Sequence, residues 1–292
     1  MKKDLYQEIT DRIIAELEQG IIPWKKPWTG VRSSAISHET GRPYSILNQF
    51  MLRPGEYITF NQCKKEGGKV KKGARAQMVV FWKVYPKQVV DENGDPIRDE
   101  NGQPVQKGFP VLRYYNVFHI DDCENIKPRF PEPEKVKAAE PVAEAEKIFA
   151  DYIGREGIRF ENVKGDRAFY RPFDDSITLP LLEQFDDASE YYSALFHEAT
   201  HSTGHPKRFN RLTVTGAAAA FGSEEYSKEE LCAEIGAACI LHEIGIETPQ
   251  SFRNSAAYIQ SWLRALQNDK KMIVGAAARA DKAARLILNI TD

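Results

Sequence analysis

The chain has 292 residues, of which 42% are hydrophobic and 28% charged, and its formal net charge is −2. This composition is that of a globular protein long enough for one large domain or two medium ones, and it excludes a disordered or fibrous chain. The charge is unevenly distributed, because residues 1–130 hold 21 Lys and Arg against 16 Asp and Glu, whereas residues 131–292 hold 19 against 26. We therefore expect the two parts to face different partners.

We expect a cytoplasmic protein with no membrane partner. The first four residues are not followed by an apolar stretch, so no signal peptide is expected. No apolar run approaches the roughly 18 residues that span a bilayer. The cysteines show no Cys-x-x-Cys spacing and are expected to be buried core thiols: Cys63, Cys123, Cys232 and Cys239.

In chain order, the first predicted element is a helix, because Leu5, Ile9, Ile13 and Leu17 recur at four-residue spacing before Gly20. The proline-rich segment that follows interrupts regular structure. A short helix capped by Ser45 and ending at Leu52 comes next. Strands are then predicted at 56–60, 77–85 and 111–120.

The tetrapeptide Asp-Glu-Asn-Gly occurs twice between the last two of these strands, at 91–94 and 99–102. Because Asn-Gly favours the two-residue type I′ turn, we predict a protruding hairpin or wing. Two copies are too few for a repeat architecture.

Prolines spaced among charges at residues 127–141 indicate a semi-rigid linker. Beyond it, helices are predicted at 142–153, 189–203, 227–243, 249–267 and 270–289, with short strands near 158–160, 167–170 and 176–179. The sequence therefore predicts an α+β protein of two domains. Residues 1–126 form an α+β nucleic-acid-binding domain, and residues 142–292 form a mostly helical domain with a small sheet.

The most specific motif is His197-Glu198-Ala199-Thr200-His201. On a helix, His201 lies about 40° around the axis from His197 and one turn further on, so both imidazoles can meet one metal ion. Glu198 lies on the flank of that stripe, where its carboxylate can reach a metal-bound water. Tyr, Leu, Phe and Ala side chains occupy the opposite face of the helix. The competing interpretation is a pair of ordinary, partly buried histidines.

A catalytic zinc usually has a third protein ligand. Lys207 stands where the metzincin motif has a third His, which disfavours that class, and His205 lies beyond the expected helix end. Downstream, Glu230 and Glu234 share a helical stripe. This segment resembles the glutamate helix of gluzincins, which implies that Glu230 is the ligand and that Glu234 orients a ligand His. Glu229 or Glu234 stays an alternative ligand. The expected cofactor is one Zn²⁺ per chain.

With zinc bound, the expected chemistry is hydrolysis of a peptide bond. The metal polarises a water and the scissile carbonyl, and Glu198 removes the proton of that water and delivers it to the leaving amine. Tyr226 and His205 are candidates for stabilising the oxyanion.

Eight cations lie between residues 64 and 87 against the single acid Glu66. They are interleaved with aromatic side chains, and single-stranded nucleic acid binds where cations follow the backbone and bases stack on exposed rings. The competing interpretation is a solvated lysine face. Because Phe81 and Tyr85 alternate with Trp82 along a strand, one of these two sets is expected to be core.

Several short motifs together resemble the ArdC-type antirestriction proteins of plasmids and other mobile elements. In the N-terminal half they are Pro23–Trp28, Thr40–Tyr44 leading to Asn48, Thr59–Gln62, Lys71–Gly73 and Tyr115–Phe118. In the C-terminal half they are His197–His201, Gly204-His205, Arg208, Tyr226 and Glu229–Glu234. His119 departs from the family, which commonly has Asn there, and this leaves the role of the position open.

The resemblance implies an N-terminal domain that binds single-stranded DNA and a C-terminal zincin-like metallopeptidase domain. The predicted DNA contacts are Trp24, Lys25, Lys26, Trp28, Arg42, Tyr44, Asn48, Lys64, Lys65, Lys69, Lys71, Lys72, Arg75, Trp82 and Lys83. Double-stranded DNA is a second candidate partner, and an unknown protein substrate or restriction-system component is a third.

The leading functional hypothesis is a single-stranded-DNA-binding antirestriction protein of a mobile genetic element, acting in conjugation, with an attached zinc-peptidase domain. The first alternative is a regulatory zinc metalloprotease whose basic N-terminal domain docks a protein substrate. The second is a non-catalytic DNA-binding accessory protein in which zinc is structural.

Overall fold

Helices and short strands make up the computed structural model, which describes residues 4–25, 35–130, 141–212, 224–246 and 255–291. The helices are α1 (Leu5–Glu18), α2 (Ile46–Met51), α3 (Phe60–Lys65), α4 (Pro141–Glu156), α5 (Ala188–Ser202), α6 (Glu224–Ile244), α7 (Ser255–Asn268) and α8 (Met272–Ile287). The strands are β1 (Ala35–Ser37), β2 (Gly55–Ile58), β3 (Lys69–Val70), β4 (Gln77–Gln88), β5 (Gln106–His119), β6 (Cys123–Glu124), β7 (Arg159–Val163), β8 (Phe169–Arg171) and β9 (Ser176–Pro180). The predicted α+β class is confirmed. Among the described residues, no helix combines the length and hydropathy that a membrane crossing requires.

The N-terminal part is built on a four-stranded sheet in the order β1-β2-β5-β4. Strands β4 and β5 pair in antiparallel register over twelve residue pairs, from Gln77 opposite Val117 to Gln88 opposite Gln106. The buried residues of this hairpin are 78–80 of β4 and Leu112, Val117 and His119 of β5. The remainder, which we call the ribbon, extends from the core, and most of its side chains are exposed on both faces.

Helix α2 is fastened to the sheet by buried amide side chains. Asn48 is 3% exposed, and its amide both donates to and accepts from the backbone of Val80, at 2.8 Å each. Gln49 donates to the carbonyl oxygens of Ala35 and Tyr44. Since Asn48 is buried and its amide group is used inside the fold, the prediction that it contacts DNA is wrong.

The non-family residue His119 has a structural role. Its Nε2 lies 2.9 Å from the Pro54 carbonyl oxygen, and its Nδ1 accepts the backbone N–H of Asp121 at 3.1 Å. The ring is buried against Gly55, whose φ of 124° favours glycine. The imidazole therefore joins the end of β5 to the start of β2.

The two Asp-Glu-Asn-Gly segments form turns at the tip of the ribbon, where residues 91–103 are exposed. The predicted type I′ geometry is wrong. Gly94 alone has a positive φ in the first turn, and its N–H donates to the carbonyl of Asp91. The Asp91 carboxylate accepts the N–H groups of Asn93 and Asp95, at 2.9 Å each, and this Asx arrangement favours a type I turn before the glycine.

Residues 127–130, which the sequence placed in the linker, dock on the N-terminal part. The buried Glu56 carboxylate accepts the backbone N–H groups of Arg129 and Phe130 and faces His38 Nδ1 at 2.5 Å. Burial acts to raise the pKa of Glu56, but these hydrogen bonds outweigh it and lower the pKa below its usual value. The Phe130 ring covers Gly41. Residues 131–140 lie outside the described residues, so the domain boundaries stay a prediction.

The C-terminal part has a three-stranded sheet, β7-β9-β8, covered by helices, with α6 packed between α5 and α8. Its hydrophobic core continues into the N-terminal part. The fully buried Trp24 ring lies 5.1 Å from that of Trp262 in α7 and 6.1 Å from that of Phe50 in α2. The predicted stacking of Trp24 on DNA is therefore wrong, because its ring has no exposed face. It joins the two halves of the fold instead.

Replacing Trp24 with Ala is expected to lower the free energy of unfolding by roughly 3–5 kcal/mol, because it opens a cavity between Phe50 and Trp262. Urea denaturation followed by circular dichroism measures this loss. Trp82→Ala is the matched control, since that ring is 45% exposed, and it should cost about 1 kcal/mol or less. Equal, small losses for both variants would contradict the placement of Trp24 in a shared core.

Candidate metal centre and nucleic-acid surface

Helix α5 presents the His-Glu-x-x-His motif on its polar face. The helix starts at Asp187, whose carboxylate caps it by accepting the N–H groups of Ser189 and Glu190. The apolar side chains of α5 are buried in the core, as the sequence pattern predicted. The side chains of His197 and His201 remain 19% and 13% exposed.

Helix α6 packs directly against this face and carries three glutamates toward it. The close approach is possible because Gly236 has no side chain, as a Cβ there would lie 2.7 Å from Cγ2 of Thr200 in α5. Glu229, Glu230 and Glu234 are each about one-sixth exposed, so they line a partly open site rather than the surface.

Three side chains converge on a common point, those of His197, His201 and Glu230. Nε2 of His197 lies 3.1 Å from Nε2 of His201, and the two oxygens of Glu230 lie 3.5 Å from one Nε2 each. Two ligands at about 2.05 Å from a tetrahedral zinc ion are about 3.3 Å apart. The spacing of these donors therefore fits a metal ion, and the described part of the chain holds no other such His, Cys, Asp or Glu group.

The other two glutamates lie behind the histidines. His201 Nδ1 is 3.2 Å from Glu229 Oε1, and His197 Nδ1 is 3.9 Å from Glu234 Oε1. A carboxylate that accepts a hydrogen bond from Nδ1 orients the imidazole so that Nε2 faces the metal. Glu229 is at hydrogen-bond distance from His201, whereas Glu234 lies just beyond that distance from His197. The geometry thus separates one glutamate that faces the Nε2 atoms from two that face the Nδ1 atoms.

Arg211 holds the Glu229 carboxylate in place. The sequence patterns did not identify this residue. Its guanidinium donates to both oxygens of Glu229, at 2.9 and 3.1 Å, to the Thr203 hydroxyl and to the Thr200 carbonyl. The fork geometry of arginine suits such bidentate contact. No spacing rule identifies Arg211, because it reaches the site from the loop after α5.

The carboxylates of the site favour a positive charge beside them. Burial would lower the pKa of His201, but its hydrogen bonds with Glu229 and Glu230 outweigh burial and raise the pKa to about 10. Burial would raise the pKa of Glu229, yet His201 and Arg211 hold it at about 2. Glu229 and Glu230, whose pKa values are both lowered, therefore stay ionised, and a divalent cation is the natural counter-charge.

The two candidates for oxyanion stabilisation lie on different elements. Tyr226 is in the first turns of α6, four residues before Glu230 and therefore on the same helical stripe. His205 is buried in the loop after α5, where its Nδ1 accepts the Lys207 N–H and lies 3.8 Å from the Asp175 carboxylate. Both roles stay predictions.

One face of the ribbon carries aromatic rings interleaved with cations. The strand register places the Tyr115, Phe81, Tyr85 and Phe109 rings on this face, together with Arg113, Lys83, Lys87 and Lys107. The Phe81 and Tyr115 rings lie 5.7 Å apart. The ammonium groups of Lys83 and Lys87 lie 5.3 and 5.7 Å from the Tyr85 and Phe109 ring centroids. We call this the aromatic face.

The other predicted DNA contacts are spread more widely. Trp82 is exposed but lies on the opposite face of the ribbon. Arg42 is exposed, and Tyr44 is half-buried beside Tyr115. Exposed positions are also held by Lys64, Lys65, Lys69, Lys71, Lys72 and Arg75, around α3 and β3. Lys26, Trp28 and the Lys25 side chain lie outside the described residues.

Comparisons with known proteins cover both halves. Residues 3–118 match the family described as the N-terminal domain of anti-restriction factor ArdC, and residues 143–279 match a zincin-like metallopeptidase family. Two Escherichia coli proteins named DNA primase TraC are 34% identical to the chain over 96% and 99% of its length, but it spans only 20% and 27% of theirs. The uncharacterized protein y4eC of Sinorhizobium fredii is 30% identical, over 96% of the chain and 90% of that protein.

Two crystal structures of the antirestriction protein ArdC from plasmid R388 are also similar. Both are 34% identical in sequence and cover 98% of this chain. The metal-free structure has a TM-score of 0.71 with 97% of its chain covered, and the Mn(II)-bound structure has a TM-score of 0.73 with 98% covered. A zincin-like domain implies a divalent metal, in agreement with the donor geometry.

Because Glu230 faces the Nε2 atoms while Glu229 and Glu234 face the Nδ1 atoms, we predict that variants of the three glutamates differ in metal affinity. Glu229→Gln and Glu234→Gln, which change the Nδ1 partners, should each weaken metal binding by roughly 10–100-fold. Glu230→Gln should weaken it by more than either, because it alters the group that faces both Nε2 atoms. Isothermal titration calorimetry with Zn²⁺ and with Mn²⁺ measures the three affinities. A larger loss for Glu229→Gln or Glu234→Gln would contradict the assignment of Glu230.

Proposed function

The chain belongs to the ArdC family of antirestriction proteins, and from this premise we propose that it binds single-stranded DNA and hydrolyses peptide bonds at a zinc ion. The observation that carries the proposal is the convergence of His197, His201 and Glu230 at 3.1–3.5 Å, next to Glu198. An open three-ligand site on the polar face of a helix is typical of catalytic zinc, whereas structural zinc has four protein ligands.

The donor set supports zinc as the metal. Two imidazole nitrogens and one carboxylate suit zinc, while manganese prefers oxygen-rich sites. The Mn(II)-bound structure of the R388 relative is compatible with this choice, because one site often accepts several divalent metals in the order set by their intrinsic affinities.

When bound, zinc supplies a polarised water and a Lewis acid for the substrate carbonyl. The chain supplies the proton transfers. The Glu198 side chain is buried, and its charge acts on both histidines. Its carboxylate takes the proton of the attacking water and delivers it to the leaving amine. Glu229 and Arg211 keep the His201 ring in position throughout.

The aromatic face supports the DNA-binding part of the proposal. Phe81, Phe109 and Tyr115 are 42, 54 and 39% exposed, although aromatic rings of this size are usually buried. The strand pairs of the ribbon place no acidic residue on this face. Flat rings and alternating cations can stack bases and follow a phosphate backbone without reading sequence. Trp82 lies on the opposite face of the ribbon and is not part of this surface.

The relatives support a proposal about the biological setting. One is an antirestriction protein of plasmid R388, and two others are named as DNA primases. We place this chain on a mobile genetic element, where it protects DNA that enters a cell by conjugation, and we expect its protein target to be a component of the restriction system of the host.

Glu198→Gln should retain zinc and abolish hydrolysis, because the amide preserves the shape of the side chain but cannot take up a proton. Metal content by mass spectrometry and cleavage of a mixed peptide library test the two parts. His201→Ala is the control that should lose both metal and activity. Cleavage by Glu198→Gln at the wild-type rate, or no cleavage by the wild type, would contradict the peptidase proposal.

Single substitutions can test the aromatic face against the other face of the ribbon. Phe81→Ala and Tyr85→Ala should each weaken binding of a labelled 20-residue oligo-dT by about 1–3 kcal/mol, the usual contribution of one base stacked on a ring. Trp82→Ala is a matched control from the same strand and should leave the affinity nearly unchanged. Fluorescence anisotropy at low salt measures all three. A loss confined to Trp82→Ala would place the DNA on the opposite face.

A further inference from the structure

A cavity of about 470 Å³ lies at the foot of the ribbon, where the aromatic face meets the loop after β1. Its lining includes Glu39 and Arg42 from that loop, Tyr44, Gln62 of α3, and Tyr115 of β5. The cavity is large enough for one nucleotide. The cavity is therefore lined by a carboxylate, a guanidinium group and two aromatic rings.

The acidic group is held in place. The Gln62 amide nitrogen donates to the Glu39 carboxylate. Gln62 is itself fixed by a capping box, because its amide oxygen accepts the N–H and hydroxyl of Thr59 at 2.8 and 2.7 Å. A carboxylate can accept four hydrogen bonds, so Glu39 keeps capacity for a ligand. The side chain is thus oriented before any ligand arrives.

The aromatic wall is continuous with the surface proposed to bind DNA. The Tyr44 and Tyr115 side chains lie side by side in this wall, and each influences the pKa of the other. Tyr115 also contacts Phe81, whose ring belongs to the aromatic face, at 5.7 Å between centroids. A strand that lies along the ribbon therefore has a path by which one of its bases can enter the cavity.

We propose that the cavity binds one guanine base of single-stranded DNA, with Glu39 and Arg42 as its polar contacts. Guanine presents two adjacent N–H donors, N1–H and the 2-amino group, which match a carboxylate. Its other edge presents the acceptors O6 and N7, which match the fork of an arginine. The other bases place an acceptor next to the donor that a carboxylate would contact. This inference rests on the proposed DNA binding and adds a base preference to it.

The test compares short oligonucleotides that differ at one position. Fluorescence anisotropy with the full chain gives the affinity for eight-residue oligo-dT and for the same strand with one central dG, dA or dC. We expect the dG strand to bind roughly 10-fold more tightly than the others, since one well-matched bidentate contact discriminates on that order. A strand with deoxyinosine, which lacks the 2-amino donor, should lose much of this preference.

The decisive measurement is the affinity of Glu39→Gln for the dG strand relative to oligo-dT. This ratio should fall to about 2-fold or less. Glu124→Gln, which removes the same charge from an exposed residue of β6, should keep the wild-type ratio. Arg42→Gln is a second variant of the cavity and should also lower the ratio. Thermal melting establishes that each variant is folded.

The outcomes separate the two proposals. Binding of oligo-dT without a preference for dG, or a preference that persists in Glu39→Gln, would overturn the guanine site and leave the proposed DNA binding intact. No binding of any strand would overturn both. Competition by free dGMP at the same concentration as the dG strand would identify a nucleotide, rather than DNA, as the occupant and would overturn the inference as stated.

Discussion

The contact between α5 and α6 is the constraint on which the metal centre depends. Two features keep it close: Gly236 presents no side chain at the crossing, and Thr200 cannot rotate away, because its hydroxyl donates to the Phe196 carbonyl at 2.7 Å. Any side chain at position 236 would push the helices apart. The glutamates of α6 would then leave the histidines of α5, although every residue of the motif would still be present.

Charge is distributed differently in the two halves of the molecule. The acidic C-terminal half places carboxylates around two imidazoles, while the basic N-terminal half exposes lysine and arginine beside aromatic rings. The two halves are joined by one hydrophobic core, through Trp24 and Trp262, rather than held apart as separate globules. The candidate metal centre and the proposed DNA surface are therefore carried on a single folded framework.

The sequence predicted those features that depend on the regular spacing of residues within one helix. Periodicity located α1, α5 and α6, and the helix pitch placed His197 and His201 on one face. Features that depend on contact between elements were not predictable in the same way. The Pro-Trp motif looked exposed because it is flanked by lysines, yet Trp24 is in the core. The roles of Glu229 and Glu234 depend on how α6 is rotated against α5, which no spacing within α6 specifies. The capping box of Thr59 and Gln62, which starts α3, is a local pattern that the sequence alone contains.

The central claim is that one metal ion is held by His197, His201 and Glu230. Diffraction data recorded above and below the zinc absorption edge, on crystals of the zinc-loaded protein, test it most directly. We predict one anomalous peak at about 2.0–2.2 Å from the two Nε2 atoms and an oxygen of Glu230, with Glu229 and Glu234 at hydrogen-bond distance from the Nδ1 atoms. A peak ligated by Glu229 or Glu234 in place of Glu230, or no peak between α5 and α6, would contradict the account.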